Sequence, residues 1–157
     1  MTEFFHRTSE RCMMRILVAT DGSDAASRAV EFAARLASGL GGSLKIVTVV
    51  GGYDLPREQV GAFSRQEHAA SDAFLSDLSE RTLAMAKRRA TDLGVSDVQS
   101  ESQSGDVATS VIDIARRDGA DVIVLGKRGL GRLTGLLLGS VSQKLVSLAP
   151  CAVIVVP

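Results

Sequence analysis

The chain has no tryptophan, and its aromatic content is only 4%. So sparse a supply argues against a platform on which the bases of a single strand would stack. The two cysteines, Cys12 and Cys151, form no CxxC pair and no disulfide framework, a usage that suits a reducing cytosol. His6 and His68 lie far apart in sequence, which argues against a zinc or di-metal hydrolase site. Net charge is lacking too. Lys plus Arg and Asp plus Glu number 18 each, so no overall field draws the chain to nucleic acid or anionic lipid. No apolar run approaches the roughly 20 residues of a membrane-spanning helix. The opening residues, Met1 to Cys12, lack the apolar centre of a signal peptide. They read as a disordered extension reaching residue 13, with Met13 or Met14 each a plausible start. A cytoplasmic protein that engages neither membrane nor nucleic acid is the expectation.

What is present is an ordinary globular composition, 45% hydrophobic and 23% charged, in 157 residues, enough for one domain over 14–157. Strand and helix signals alternate along it. Met14 to Thr20 (MRILVAT) is a continuous apolar run, the mark of a strand covered on both faces. The turn Asp21-Gly22-Ser23-Asp24 follows, with Ser23 the expected N-cap. Ala26, Ala29, Val30, Ala33, Leu36, Ala37 and Leu40 then mark one face of a helix that Gly41-Gly42 ends. Ser43 to Val50 is a second strand. A helix near Gln66 to Leu93 follows, with Phe74, Leu78 and Met85 on one face and Gly94 as its stop. Ser96 to Gln103 is a weaker third strand.

Gly105-Asp106 starts a helix with Val107, Ala108, Val111, Ile112 and Ala115 inward, ended by Gly119. Asp121 to Leu125 (DVIVL) is the fourth strand. A glycine loop and a helix from about Ser140 to Ala149 follow, then the last strand, Ala152 to Val156. Five strands alternating with four helices predict right-handed βαβ units in a doubly wound parallel sheet. In such sheets ligands sit beyond the carboxyl ends of the strands, where the strand order reverses. With the first and fourth strands flanking that point, Thr20-Asp21 and the glycine loop face one another.

The loop, Gly126 to Ser142, reads GKRGLGRLTGLLLGSVS. Glycines between a strand end and a helix start let backbone N–H groups approach phosphate oxygens with no Cβ in the way. Lys127, Arg128 and Arg132 add charge-assisted donors. The bland alternative is a surface connection whose glycines serve turns alone. Gly129, Gly131 and Gly135 also match the spacing of some NADP loops, but that fingerprint belongs after a first strand. Asp21 fits either a turn aspartate or a carboxylate for a ribose hydroxyl or a phosphate-bound magnesium ion. Ser140 and Ser142 fit helix caps, phosphate contacts, or both. Leu136 to Leu138 read as packing, His68 as a helix-surface residue, and Cys151 as a small buried hydrophobe.

The stretches ILVATDGSDAASRAV and GADVIVLGKRGLGRLTGLLLGSVSQKLVSLAPCAVIVV resemble the universal stress protein family across nearly all of Met14 to Pro157. Gly126, Gly129, Gly139 and Ser140 meet that family's ATP-binding spacing. The resemblance implies an adenine-nucleotide α-hydrolase-like α/β fold, a five-stranded parallel sheet of order 3-2-1-4-5 with helices on both faces. It implies ATP, with magnesium, as ligand. Ala19, Thr20 and Asp21 would line the ribose and phosphate side, and Val49 would offer its backbone to the adenine edge. Gly126, Arg128 and Gly129 would pass beneath ribose and phosphates, while Gly139, Ser140, Val141 and Ser142 would cradle the phosphate tail. It also implies a homodimer through Ala152 to Val156, an apolar edge strand free of lysine. A nucleotide-dependent regulator of the stress response with little intrinsic hydrolysis is the expectation. The alternative is a slow ATP hydrolase of the wider group, although Asp21 is the only candidate base beside the loop.

Overall fold

The structure is a computed structural model that describes residues 13–50, 65–129 and 138–157; within the helix that begins at residue 65, side chains are described from residue 72 onward. Arg132, Gly131, Gly135, Leu136, Leu137, the side chain of His68, and residues 1–12, for which the sequence raises expectations, lie outside the described residues.

Five strands form one sheet: β1 (Arg15–Ala19), β2 (Ser43–Val50), β3 (Val98–Ser104), β4 (Val122–Gly126) and β5 (Ala152–Val156). Their order is β3-β2-β1-β4-β5, and every pairing is parallel. Among the described residues four helices connect them: α1 (Asp24–Leu40), α2 (Arg65–Asp92), α3 (Val107–Asp118) and α4 (Ser140–Leu148). This is the doubly wound arrangement that the alternating signals predict. Among the described residues no helix is long and apolar enough to cross a membrane.

Alternation along each strand divides the core into two layers. Ile16, Val18, Leu44, Ile46, Val122 and Val124 pack against α1 and α2, while Leu17, Val47, Ile123 and Leu125 pack against α3 and α4. The α1 face is built of Ala26, Ala29, Val30, Ala33, Ala34 and Ala37, small side chains that let the helix lie close on the sheet. Ser23 Oγ accepts from the Ala26 N–H at 3.2 Å, and Gly41 turns the helix off in the left-handed region at φ 62°. Asp106 caps α3 by accepting from the Thr109 N–H at 2.9 Å, and Gly119 ends it at φ 61°. The third strand starts two residues later than its pattern suggests, because Val95 is still buried in the turn after Gly94.

One helical face is corrected. Phe74, Leu78 and Met85 do not pack on the sheet; they are 66%, 50% and 74% exposed. The helix packs instead through Ser79, Leu83 and Ala90, with Ala86 and Leu93 partly buried beside them. Leu40, at the last turn of α1, is likewise exposed rather than inward. Cys151 is only partly buried, and that burial pushes its thiol pKa up.

Candidate functional site

The carboxyl ends of the strands open into a cavity of about 460 Å³. It straddles β1 and β4, the adjacent strands whose connections run to opposite sides of the sheet. Ala19, Thr20, Asp21, Val49, Gly126, Arg128, Gly129, Gly139, Ser140, Val141 and Ser142 all line it. The turn after β1 and the two ends of the glycine loop therefore share one cleft. Lys127 is not among the lining residues; its backbone instead ties the loop down, N–H donating to Val156 O at 2.7 Å and carbonyl accepting from the Gly139 N–H at 3.0 Å.

The turn after β1 is shaped by its own side chains. The Asp21 carboxylate accepts from the Ser23 N–H at 3.0 Å, and Thr20 Oγ1 accepts from the Gly22 N–H at 3.3 Å. Gly22 has φ +80°, a conformation that L side chains rarely adopt. Asp21 thus performs the turn role, while its position on the cleft wall keeps it within the cavity.

The three signature glycines differ in what requires them. A Cβ on Gly126 would lie 2.8 Å from the carbonyl carbon of Ala25 and 2.9 Å from its oxygen, so this glycine lets α1 start close against β4. A Cβ on Gly129 would collide with Asp21 Oδ2 across the cleft. A Cβ on Gly139 would meet nothing closer than Lys127 O at 3.5 Å, an ordinary contact, and φ there is −68°. Packing within the described residues does not explain Gly139.

Gly139 is the N-cap of α4, and it supplies no side-chain cap. The first turn of a helix carries N–H groups with no intrahelical partner. Here those of Ser140, Val141 and Ser142 lie at the cavity wall, with the positive end of the helix dipole behind them. Ser142 itself is buried, and its hydroxyl lies 3.1 Å from Gly126 O and 3.3 Å from Lys127 O. That hydroxyl fastens the start of α4 to the end of β4, rather than pointing to a phosphate as its motif position suggests.

Sequence reasoning missed one wall altogether. The α2 residues Leu75, Leu78, Ser79 and Thr82 line the cleft, as do Thr48 and Val50 of β2. Ser79 Oγ pairs with Ser102 Oγ of β3 at 2.7 Å. The available signal was Thr48, a lone hydroxyl among the apolar residues of IVTVV.

The fold and the cleft define a doubly wound α/β protein with a cavity at the switch point of the sheet, the place where ligands of such sheets bind. The chain belongs to the universal stress protein family, whose model matches residues 13–157. It is 35% identical over 145 residues to a universal stress protein of Thermus aquaticus, covering 90% of this chain and 96% of that one. It is 32% identical over 154 residues to universal stress protein YxiE of Bacillus subtilis, covering 90% and 97%. Among solved structures, a universal stress protein in complex with cAMP superposes with a TM-score of 0.66 at 26% identity, covering 92% of this chain and 96% of that one. A member of the family from Burkholderia pseudomallei gives 0.68 at 30% identity, covering 91% and 95%.

Proposed function

We propose that this chain is an ATP-binding universal stress protein of the cytoplasm, acting as a nucleotide-dependent regulator of the stress response rather than as a fast enzyme. The observation that carries the reading is the uncapped start of α4. Three backbone donors and a helix dipole open onto the same cleft as Asp21 and Arg128, with a glycine at 139 that packing among the described residues does not demand. This donor set suits a chain of phosphate oxygens. The cAMP complex of a relative supports an adenine nucleotide as the ligand class.

In this reading the N–H groups of Ser140, Val141 and Ser142 hold the phosphates, Arg128 supplies positive charge, and Gly126 and Gly129 keep the floor of the cleft low. Asp21, with Ala19 and Thr20, faces the ribose and a magnesium ion carried in by the phosphates. The backbone of Val49 meets the base. Magnesium would neutralise phosphate charge and would draw most of its ligands from ATP and water, since Asp21 is one carboxylate.

The proposed homodimer forms through β5. Its outer edge pairs with no other described strand, its five residues are Ala-Val-Ile-Val-Val, and Val146 and Leu148 of α4 are exposed. An apolar edge of this kind invites a second strand.

The test is thermal denaturation of nucleotide-stripped protein titrated with ATP and magnesium. At 100 times its dissociation constant, ATP stabilises the fold by about 2.7 kcal/mol. For a chain of this length that raises Tm by about 5–11 °C. An unchanged Tm at millimolar ATP rejects the reading, and rapid appearance of ADP or AMP rejects the non-enzymatic part of it.

A further inference from the structure

The cleft has two arms, and the nucleotide-binding groups assigned so far occupy only one of them. Toward α3 and α4 its wall is apolar, with Val47, Val49, Val107 and Leu125. Toward α2 it carries hydroxyls from Thr48, Ser79 and Thr82. Strand alternation puts Thr48 on the opposite face from Val47 and Val49. Its register partner on β3 is Ser102, which is the partner of Ser79. Thr82 lies one turn further along α2, its Oγ1 3.4 Å from where a Cβ of Gly22 would stand.

Ser79 and Ser102 satisfy one another, but Thr48 is different. It is only 7% exposed, and its hydroxyl makes no hydrogen bond among the described residues. No fully enclosed side-chain oxygen there lacks a partner, so the Thr48 hydroxyl must reach solvent, and the cleft is the opening it lines. A hydroxyl placed this way is completed by water in the open cleft, and a ligand that displaces the water loses affinity unless it replaces that hydrogen bond.

We propose that Thr48 reads the base of the bound nucleotide, its hydroxyl accepting a hydrogen bond from the amino group at the 6-position of adenine. This rests on the nucleotide reading above. With phosphates at the start of α4, beside β4, the rest of the ligand runs across β1 toward β2. Those two strand spacings amount to about 9–10 Å, and they bring the base end of the molecule to Thr48. Leu75 and Leu78 of α2 then exclude water from the base, which sharpens the cost of a missing hydrogen bond.

The experiment compares wild type with Thr48→Val and Thr48→Ser by calorimetric binding of three probes. These are ATP, the purine riboside triphosphate that lacks the 6-amino group, and inorganic tripolyphosphate. Wild type should prefer ATP over the purine analogue by about tenfold. Thr48→Val should erase that preference while leaving tripolyphosphate affinity unchanged, and Thr48→Ser should retain it. Because the hydroxyl has no partner among the described residues, Thr48→Val should not lower the Tm of the nucleotide-free protein. Equal loss for all three probes, or a lowered Tm without nucleotide, overturns the assignment and makes Thr48 a packing residue. Failure of wild type to bind ATP at all overturns the nucleotide reading and this assignment with it, whereas ATP binding that is indifferent to Thr48→Val overturns this one alone.

Discussion

The two ends of the sheet each carry a cavity with polar groups in its wall, and those groups are handled on opposite principles. At the amino ends of the strands, a cavity of about 270 Å³ is lined by Arg15, Lys45, Gln99 and Asp118, among others. Its central charges are paired. Lys45 Nζ donates to Asp118 and, at 3.2 Å, to Glu101, and Arg117 forks onto Glu101 at 2.6 and 3.0 Å. At the carboxyl ends, among the described residues, the start of α4 is left without a side-chain cap and the Thr48 hydroxyl without a hydrogen-bond partner. The same contrast runs through the helix starts: α1 and α3 are capped by Ser23 and Asp106, and α4 by a bare glycine. Polar groups that the protein completes hold the fold; those left incomplete among the described residues are the ones the proposed nucleotide would complete. Cavity presence alone does not distinguish the ends, but the state of their donors does.

The sharpest test of that distinction uses two glycines of one motif. Gly126→Val drives a side chain into the backbone of Ala25 and Ala26 at 2.8–3.0 Å. It should therefore cost about 1–3 kcal/mol of stability in urea denaturation. Nucleotide-free protein should show that loss in full, because it arises from the contact of α1 with β4 and not from a ligand. Gly126 behaving as neutral would mean that this end of the sheet can give way, and the contrast between packing and binding glycines would fail.

Gly139→Asp should do the reverse. The backbone there accommodates any L residue, and an aspartate at this N-cap can accept from the first-turn N–H groups. Stability should rise by a few tenths of a kcal/mol, since glycine is only that much poorer as a cap. Affinity for ATP should fall by about tenfold or more, because the new carboxylate takes the donors and repels phosphate. Denaturation and calorimetry on the same preparation read both effects. A variant that gains stability and keeps its affinity would show that phosphates do not sit at α4.

Much of this was legible in the sequence, and what was not has identifiable causes. The strands stood out because burial on both faces makes them continuous apolar runs, and the bounds of β2, Ser43–Val50, follow directly. Turn chemistry fixed Ser23, Asp106, Gly41 and Gly119 because each position asks for a particular residue type. Parallel topology then brought Asp21 and Gly129 together, although more than a hundred residues separate them. The orientation of α2 was not legible. Its large apolar residues Phe74, Leu78 and Met85 face outward, and its sheet contact uses Ser79, Leu83 and Ala90. Size misleads here, because a helix lying close on a sheet favours small side chains. Length contributes as well. The 28 residues of α2 span about 42 Å, whereas the seven of β3 span about 23 Å, so the helix is longer than the sheet it covers, and Leu75 and Leu78 line the cleft instead of the core. Nor does a motif say why each of its glycines is needed; Gly126 and Gly139 look alike until the neighbouring atoms are in view.

The amino-end network gives the mildest effect and the cleanest control. Hydrogen bonds from Arg117, then from Gln103 and Lys45, hold the Glu101 carboxyl down to about 2; Arg117 and Lys45 do the same for Asp118, also to about 2. Both lie below their ordinary values of 4.5 and 3.8. A carboxyl whose pKa is depressed by folding stabilises the folded state fully above its unfolded pKa and loses that contribution as pH falls through the folded one. Stability should therefore decline from about pH 4.5 toward pH 2. Glu101→Gln should flatten part of that decline and lower neutral-pH stability by less than about 1 kcal/mol, as befits partly exposed ion pairs. Urea midpoints at pH 7, 4 and 2.5 measure this. ATP affinity at pH 7 should not change, because neither Glu101 nor the residues it bonds, Lys45, Gln103 and Arg117, line the cleft. If Glu101→Gln weakens ATP binding, the two ends are coupled through β2, and paired charge at one end helps set the unpaired donors at the other.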